Sequence, residues 1–306
     1  MLLNEKPLIS VVMAAYNGEA FIAQQIESIR TQTYTHWELI IVDDASTDQT
    51  TDIIRNLVKQ EARIRLSVNT ENNGVNRTFE KAISMAAGSF IAISDQDDLW
   101  RNDKLEILLS LFTDDRVTLA HAPSIRFREH PPTSIRQYDT RIPLTGQHPE
   151  QCLFFNTIAG HQVLFRKSIL SKNTAIPEGI FYDWWLVMQA SIHGEICASR
   201  EVLTYHRVHQ QNVTLGKKDE KKQTRAKANE RLRALSLFIS QANLPADVHK
   251  LANQLKSKLV ILETQRFSMR LFFFLWKHSA TFFFFKKNKV PFMSRLKMSY
   301  RMSWAI

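Results

Sequence analysis

The sequence predicts an α/β fold with a mostly parallel sheet flanked by helices, followed by a basic, aromatic-rich helical tail. Short apolar runs alternate with segments of helical periodicity through the first hundred residues. Acidic clusters follow directly after two of these runs, where parallel strands leave the core. The charge balance then reverses: residues 1–216 carry 20 Lys and Arg against 25 Asp and Glu, whereas residues 217–306 carry 20 against 5.

The strands and helices of the first hundred residues are predicted from hydrophobic periodicity. Four short runs rich in Ile, Val and Leu are typical of buried strands; they span residues 8–13, 39–42, 64–68 and 90–93. Between them, apolar residues recur every three or four positions, as in amphipathic helices, within residues 21–29, 53–58 and 79–86. This alternation implies right-handed βαβ units and hence a mostly parallel sheet.

The sequence argues against several classes of protein. The first strand is followed by Ala14-Ala15-Tyr16-Asn17-Gly18, which contains neither a dinucleotide-binding glycine fingerprint nor a P-loop lysine. The two cysteines, Cys152 and Cys197, lack metal-ligand spacing and are typical of buried thiols in a reducing cytoplasm. The N-terminal residues lack the basic and apolar pattern of a signal peptide, so we expect none.

The segment Ser94-Asp95-Gln96-Asp97-Asp98-Leu99-Trp100 carries three carboxylates directly after the fourth predicted strand. Asp43 and Asp44 end the second strand in the same way. Because the carboxyl ends of neighbouring parallel strands face one crevice, these carboxylates should converge there, with Tyr16 able to stack on a flat base. A hard divalent cation, which prefers oxygen ligands, is their natural counter-ion. A solvated acidic turn, or a helix cap at Asp43, is the simpler alternative.

Five motifs in sequence order resemble the family 2 glycosyltransferases, inverting enzymes of GT-A fold. They are Ser10-Val11-Val12-Met13-Ala14-Ala15-Tyr16-Asn17, the segment from Trp37 to Asp48, Asn73-Gly74-Val75, the segment from Ala86 to Ile91, and residues 94–100. The last motif is similar to the branch with bacterial rhamnosyltransferases and O-antigen or capsule enzymes. The resemblance implies a Rossmann-like sheet and metal-dependent, inverting transfer of a sugar from a nucleotide-diphosphate sugar. The implied acceptor is a hydroxyl of a glycan or lipid-linked saccharide in bacterial surface polysaccharide synthesis.

The resemblance also implies roles for residues of the matching motifs. Asp44 would accept a hydrogen bond from the base of the nucleotide. Ala14, where the family commonly has Pro, and Tyr16 would border that base. Asp97 would lie near the ribose, and Asp98 would bind the divalent metal, Mg²⁺ or Mn²⁺, that bridges the diphosphate. A cation there would stabilise the charge that grows on the departing nucleoside diphosphate.

On the acceptor side, Asp183 resembles the general base of the family, which takes the proton of the attacking hydroxyl. Trp184 and Trp185 beside it would offer flat faces to an acceptor sugar; an N-cap aspartate followed by core tryptophans is the alternative. Further along, Arg207 and His209 lie in another segment that resembles the family, and either would contact the diphosphate. His209 could equally be a metal ligand, a contact of a closing loop or a structural residue.

We predict a glycosyltransferase domain over residues 1–216, with a nucleotide-binding half (1–113) and an acceptor-side half (114–216), and a separate tail over residues 217–306. Within the tail, residues 265–306 interleave basic residues with Phe and Trp, as segments at an anionic membrane surface do. We therefore expect peripheral association with the cytoplasmic face of the inner membrane. A helical subdomain with its aromatic residues packed inside is the alternative.

Two rival functions are weaker. A sugar nucleotidyltransferase would hold its triphosphate with a Gly-rich loop and a basic residue after the first strand, and no basic residue is present there. A nucleic-acid-binding protein would use the basic tail, but the acidic crevice would repel phosphate in the absence of a metal. We therefore expect no nucleic-acid partner.

Overall fold

The computed structural model describes residues 6–132, 142–170, 175–209, 220–286 and 291–304. The chain forms two compact units. Unit 1 comprises Met1–Asp139, Ile158–Ile176 and Glu195–His209, and unit 2 comprises Thr140–Thr157, Pro177–Gly194 and Gln210–Ile306. The units therefore interleave along the sequence. The division into a domain of residues 1–216, with halves 1–113 and 114–216, and a tail of residues 217–306 stays a prediction.

Unit 1 is built on a seven-stranded sheet. Its strands are β1 (Ile9–Ala15), β2 (Trp37–Asp43), β3 (Ile64–Val68), β4 (Phe90–Ser94), β6 (Val117–His121), β8 (Val163–Arg166) and β9 (Glu195–Ala198). They lie in the order β3-β2-β1-β4-β8-β6-β9. Only β8 is antiparallel to its neighbours within this sheet. The predicted mostly parallel sheet is thus confirmed.

Helices cover this sheet, which explains why its central strands are apolar throughout. All five residues of β4 are buried, as expected for a strand covered on both faces. The helices of unit 1 are α1 (Ile22–Arg30), α2 (Thr50–Gln60), α3 (Val75–Ser84) and α4 (Lys104–Ser110). Ile22, Ile26 and Ile29 of α1 have no exposed surface, and burying each such side chain contributes about 1.5–3 kcal/mol.

Three short strands form a second sheet in unit 1, and this sheet positions the acidic segment. β5 (Leu99–Trp100) pairs antiparallel with β10 (Thr204–Arg207), and β10 pairs parallel with β7 (Ser124–Phe127). Residues 95–98 therefore lie between β4 of the large sheet and β5 of the small one. The pairing with β10 brings a segment about one hundred residues further along the chain against them.

Unit 2 is helical where the structure describes it. Its helices are α5 (Tyr182–His193), α6 (Glu220–Gln241), α7 (Ala246–Leu259), α8 (Met269–Lys277), α9 (Ser279–Phe282) and α10 (Pro291–Met302), with 3-10 helices at Pro149–Cys152 and Val260–Glu263. The predicted helical C-terminal region is therefore present. Phe282 and Phe283 have no exposed surface, and their ring centroids lie 5.7 and 6.1 Å from that of Phe154. Among the described residues, no helix combines the length and apolar character needed to span a bilayer.

Candidate functional site

One carboxylate of the acidic segment is fully buried and only partly satisfied. Asp98 has no exposed surface. Its Oδ1 accepts a hydrogen bond from the backbone N–H of Arg207 (3.1 Å) and lies 3.1 Å from Nδ1 of His206. Its Oδ2 is buried without a hydrogen-bond partner in the described part of the chain. Because a buried carboxylate oxygen without a donor is costly, this atom favours a positively charged partner.

A second aspartate and two histidines complete the cluster around Asp98. His161 belongs to a 3-10 helix, Gly160–Gln162, and its Nδ1 lies 3.1 Å from Asp95 Oδ2 and 3.5 Å from Asp98 Oδ2. The rings of His161 and His206 stack, with centroids 4.9 Å apart and planes 12° apart. One ligand atom from each of these four residues lies within 4.8 Å of the others.

This donor set fits a divalent cation. Two carboxylates with two imidazoles suit ions that accept oxygen and nitrogen ligands, such as Mn²⁺. Mg²⁺ is commonly held by one or two carboxylates together with phosphate oxygens and water. The Oδ2 of Asp98, which has no hydrogen-bond partner among the described residues, lies within the cluster. The residues present can therefore hold either ion.

The sequence predicts a metal-binding role for Asp98 and does not assign that role to either histidine. His206 carried a weak signal, since it stands directly before Arg207 in a motif that resembles the family. His161 carried less, because a single histidine after Gly160 is compatible with many environments. Both histidines are far from Asp98 in sequence, and strand pairing brings them to it.

The charges of the acidic segment and of His161 shift one another's pKa values. Burial and the negative charges of Asp95 and Asp98 raise the pKa of Asp97. Burial alone would raise the pKa of Asp95, but the hydrogen bond and charge of His161 outweigh it, and this pKa is lowered. Burial alone would lower the pKa of His161, but the charges of Asp98 and Asp95 outweigh it and raise it. The carboxylates thus favour a positive charge at this place, either a proton or a metal ion.

A buried lysine lies beside the cluster. Lys104 has no exposed surface, and its Nζ donates a hydrogen bond to the carbonyl oxygen of His161 (2.7 Å). The same atom is 3.6 Å from the ring centroid of Trp100. Burial lowers the pKa of Lys104 well below its ordinary value, against the opposing charges of Asp98 and Asp95. Lys104 therefore holds the backbone that carries His161.

Arg207, predicted to contact the diphosphate, lies against the acidic segment. Its Nε donates to the carbonyl oxygen of Asp97 (3.0 Å), and its Nη2 donates to Oε1 of Gln24 (2.8 Å). The guanidinium carbon is 5.0 Å from the ring centroid of Phe21 and 4.6 Å from that of Phe127. Burial lowers the pKa of Arg207 despite the nearby carboxylates. Arg207 therefore helps to hold the acidic segment in place.

His209, for which a role as metal ligand was one prediction, contacts Asp97. Its Nε2 lies 2.8 Å from Asp97 Oδ2, and its ring centroid is 4.5 Å from that of Phe21. His209 is not one of the four clustered residues. Metal binding by His209 and ribose binding by Asp97 both stay predictions.

The carboxylate of Asp44, predicted to bind the base, organises a loop. It is nearly buried and accepts hydrogen bonds from Nδ2 of Asn69 (2.8 Å) and from the backbone N–H groups of Asn73 and Gly74 (both 2.9 Å). These three donors occupy only part of the acceptor capacity of a carboxylate. Asp44 therefore shapes the loop after β3, and its role toward a base stays a prediction.

Tyr16 and Ala14 lie at the carboxyl end of β1, as the predicted base site requires. Ala14 is half-buried and pairs with Val42 across β1 and β2, and Tyr16 is 46% exposed. The side-chain amide of Gln96 makes two hydrogen bonds to the backbone of Tyr16. Oε1 of Gln96 accepts from the N–H of Tyr16, and Nε2 of Gln96 donates to the carbonyl oxygen of Tyr16, both at 2.9 Å. Sequence reasoning gave Gln96 no such role.

The predicted acceptor-side residues Asp183, Trp184 and Trp185 lie in the first turn of α5, in unit 2. The carboxylate of Asp183 is half-buried and accepts a hydrogen bond from the backbone N–H of Trp184 (2.7 Å). Trp184 and Trp185 are 5% and 1% exposed and contact the ring of Phe238. The two indoles therefore pack inside unit 2, and their contact with an acceptor stays a prediction.

Two curated relatives match part of the chain. TuaG of Bacillus subtilis (strain 168), named for teichuronic acid biosynthesis, is 43% identical over 103 residues, which are 34% of this chain and 41% of TuaG. The UDP-Glc:alpha-D-GlcNAc-diphosphoundecaprenol beta-1,3-glucosyltransferase WfgD of Escherichia coli is 35% identical over 114 residues, 37% of this chain and 44% of WfgD. The chain thus spans less than half the length of either relative.

Two solved structures share the fold over nearly the whole chain. TarS of S. aureus (residues 1–349), in complex with UDP-GlcNAc, has a TM-score of 0.60 at 16% identity and covers 96% of this chain and 89% of its own. The mannosyltransferase PcManGT of Pyrobaculum calidifontis, in complex with GDP-Man and Mn²⁺, has a TM-score of 0.61 at 16% identity and covers 98% and 81%. The model of Glycosyl transferase family 2 matches residues 10–174, more than half of the chain. This chain belongs to glycosyltransferase family 2.

Proposed function

We propose that this glycosyltransferase transfers a sugar, with inversion, from a nucleoside diphosphate sugar to a hydroxyl of a lipid-linked glycan in bacterial surface polysaccharide synthesis. The observation that carries the proposal is the buried Asp98. Among the described residues, its Oδ2 has no hydrogen-bond partner, and it lies in a cluster with Asp95, His161 and His206. A cation held by these residues would supply positive charge that stabilises a departing diphosphate. Mg²⁺ and Mn²⁺ both fit these ligands.

The donor site that we propose lies at the carboxyl ends of β1 and β2. Tyr16 is exposed and can stack on a base, while Ala14 and Asp44 border the same edge of the sheet. TarS and PcManGT bind UDP-GlcNAc and GDP-Man respectively, which supports a nucleoside diphosphate sugar as the donor class. Asp97 would contact the ribose.

Near the diphosphate, we assign Asp98 as the principal metal ligand, with His206 and His161 as further candidates. Arg207 would contact the diphosphate by a small side-chain movement, because its guanidinium lies beside the acidic segment. His209 is retained as a candidate ligand, since its present partner Asp97 is itself an acidic residue of this segment.

We assign Asp183 as the general base. The carboxylate of Asp183 would take the proton from the acceptor hydroxyl. The oxygen of that hydroxyl would attack the anomeric carbon of the donor sugar, and the nucleoside diphosphate would leave. Asp183 is half-buried at the start of α5, so it can meet an acceptor. Trp184 and Trp185 support this role by fixing the first turn of α5 through their packing on Phe238.

We further propose that the enzyme associates peripherally with the cytoplasmic face of the inner membrane through residues 265–306. Residues 264–306 contain nine Lys and Arg and no Asp or Glu. On α8 and α10, Met269, Phe273, Phe292 and Met293 are more than half exposed. Exposed aromatic side chains among positive charges suit an anionic lipid surface.

Asp98→Asn tests the proposed donor chemistry. We expect wild-type protein to bind or slowly hydrolyse one nucleoside diphosphate sugar in a screen with Mg²⁺ or Mn²⁺, and to lose this on addition of EDTA. Asp98→Asn should reduce metal-dependent turnover by at least 100-fold, since the buried carboxylate cannot be replaced by a neutral amide. Asp52→Asn, an exposed aspartate of α2, is the control and should keep full turnover.

The same assay distinguishes the effect of losing the general base from the effect of losing a metal ligand. Asp183→Asn should bind the donor and metal as tightly as wild type while transfer falls by several orders of magnitude. A fall of less than tenfold would assign the proton transfer to another residue. Unchanged metal-dependent turnover in folded Asp98→Asn protein would remove the metal role from this cluster.

A further inference from the structure

One row of residues across the small sheet of unit 1 holds His161, which belongs to the cluster around Asp98. Thr204 of β10 is the register partner of Trp100 in β5 on one side and of Ser124 in β7 on the other. The three residues therefore lie side by side across the sheet. Each of them contacts His161 directly or through a neighbouring side chain.

The backbone of His161 is fixed by two members of this row. Its carbonyl oxygen accepts hydrogen bonds from Oγ1 of Thr204 (3.2 Å) and from Nζ of Lys104 (2.7 Å). Nζ of Lys104 in turn stacks on the ring of Trp100. Because the peptide group cannot turn without losing two buried hydrogen bonds, the position of His161 is well defined.

The ring of His161 is held by the third member of the row. Nε2 of His161 lies 3.0 Å from Oγ of Ser124, while Nδ1 on the other side of the ring faces two carboxylates of the cluster. Gln162 holds the same hydroxyl group, since its Nε2 donates to Oγ of Ser124 (3.0 Å). The amide of Gln162 is fixed in turn, because its Oε1 accepts from the backbone N–H of Ala159 (3.0 Å). These contacts set the direction of the imidazole.

The contact with Ser124 bears on which nitrogen of His161 can bind a cation. A neutral imidazole carries its proton on one nitrogen and offers a lone pair on the other. Nδ1 can bind a cation only when the proton is on Nε2, and a buried N–H group needs an acceptor. The hydroxyl oxygen of Ser124 can accept two hydrogen bonds, of which Gln162 donates one. The second position can therefore accept from Nε2 of His161.

We propose that Ser124 is a positioning residue that keeps the proton of His161 on Nε2 and so makes Nδ1 the atom that binds a divalent cation beside Asp98. The inference rests on the metal site of the proposed function, and adds the atom through which His161 acts and the residue that selects it. Histidine ligands of metals commonly donate their second N–H to a neighbouring acceptor. Loss of that acceptor typically weakens metal binding about 10–100-fold.

Binding of Mn²⁺ alone to the full chain tests this role. Ser124→Ala removes the acceptor, and we expect the dissociation constant for Mn²⁺, measured by electron paramagnetic resonance, to rise at least tenfold. Ser124→Thr keeps a hydroxyl group and should restore most of the affinity. The control Ser110→Ala removes an exposed hydroxyl group from α4 and should change the dissociation constant less than twofold.

A double-mutant cycle determines whether Ser124 acts through His161. His161→Gln removes Nδ1 and should itself weaken Mn²⁺ binding at least tenfold. Adding Ser124→Ala to this variant should change the affinity less than twofold, because the ring that Ser124 orients is gone. A further tenfold loss would mean that Ser124 acts on the site in another way, and it would overturn the proposal. Unchanged Mn²⁺ affinity in folded Ser124→Ala protein would also overturn it.

The proton of His161 provides a spectroscopic readout that needs no substitution at Ser124. Zn²⁺ is diamagnetic and binds imidazole nitrogen, so ¹⁵N NMR of Zn²⁺-loaded wild-type protein should detect the proton on Nε2 of His161 and none on Nδ1. The spectrum of His161→Gln identifies these signals. A proton on Nδ1 in the loaded protein overturns the proposal, whether or not the Ser124 variants fold.

These readouts need no donor sugar, so they separate this inference from the proposed function. If Mn²⁺ binding depends on Asp98 but not on Ser124, this inference alone is wrong. If wild-type protein binds no Mn²⁺, the proposed metal site is wrong as well. Loss of donor turnover in a protein that binds Mn²⁺ through Asp98 and Ser124 would contradict the proposed function and leave the role of Ser124 supported.

Discussion

Gln96 joins the acidic segment to the end of β1 through both atoms of its amide. Its two hydrogen bonds, one accepted and one donated, hold the backbone from which Tyr16 projects. Gly18 leaves room for the amide, because a Cβ at that position would lie 2.3 Å from Gln96 Oε1. An amide can accept and donate at once, whereas a carboxylate can only accept. Gln96 is therefore a positioning residue for the proposed base site.

Gln96→Glu should weaken donor binding without slowing the chemical step. The carboxylate would face the carbonyl oxygen of Tyr16 with no proton between them, at a cost of about 1–3 kcal/mol. We expect the KM for the donor to rise about tenfold while kcat changes less than twofold, in steady-state kinetics at saturating metal and acceptor. Gln60→Glu makes the same change at the exposed end of α2 and should leave both constants unchanged. An unaltered donor KM in folded Gln96→Glu protein would contradict the positioning role.

At the scale of single residues, a residue of the site can be predicted when the residues next to it in the chain form a recognisable pattern. Asp98 follows a buried apolar run, so its place at a strand end could be expected. His161 and His206 reach Asp98 only because β8 and β10 pair where they do. No local pattern contains that information, and a single histidine is compatible with many environments.

The loops after β1 and β2 are tied together, and each contains a residue in the left-handed region. Asn17 has φ +47°, and its side chain accepts a hydrogen bond from the backbone N–H of Thr47 (2.8 Å). Its own backbone N–H donates to Oγ of Ser46 (2.9 Å). Asn tolerates this conformation, but Ala45 adopts φ +61° without such help. The loop that follows Asp44 therefore stores backbone strain beside the proposed donor site.

Ala45→Gly should stabilise the protein. Replacing alanine with glycine removes the strain of roughly 1–2 kcal/mol that a Cβ causes in the left-handed region. Part of this gain in stability is lost, because glycine gives the unfolded chain greater conformational entropy. We expect the free energy of unfolding to rise by about 0.5–1 kcal/mol in urea titrations. Ala23→Gly, on the exposed face of α1, is the matched control and should lower it by a similar amount. If both variants lose stability, the strain at Ala45 is absent.

At the scale of elements, predictability follows the strength of the hydrophobic pattern. β1, β2 and β4 are nearly buried throughout, so their apolar runs identify them in the sequence. β5 has two residues, and β7 has four, of which one is buried, so neither can be distinguished from a loop in the sequence. The interleaving of the two units depends on which segments pack together, and the reversal of charge after residue 216 does not reveal it.

Across the whole molecule, positive charge and exposed aromatic side chains concentrate toward the C-terminal residues. The formal net charge of +10 comes from residues 217–306, because residues 1–216 are net acidic. The aromatic residues of this region range from buried to exposed. Phe282 to Phe285 are buried, in line with the predicted alternative of a packed subdomain, while Phe273 and Phe292 are about 60% exposed. Among the described residues, Phe273 and Phe292 are the most exposed aromatic side chains that a membrane could contact.

Phe273→Glu and Phe292→Glu should therefore release the protein from anionic vesicles. Each loses an aromatic side chain worth about 1.5–3 kcal/mol when buried and adds a charge that the lipid repels. We expect the partition coefficient onto phosphatidylglycerol vesicles to fall at least tenfold for each variant in sedimentation assays, and binding by wild type to weaken in high salt. Val75→Glu, which adds the same charge at an exposed position of unit 1, should change it less than threefold. Deleting residues 265–306 would be less decisive, since it also removes the buried Phe282 and Phe283. If both glutamate variants sediment with vesicles as Val75→Glu does, this face does not bind the membrane.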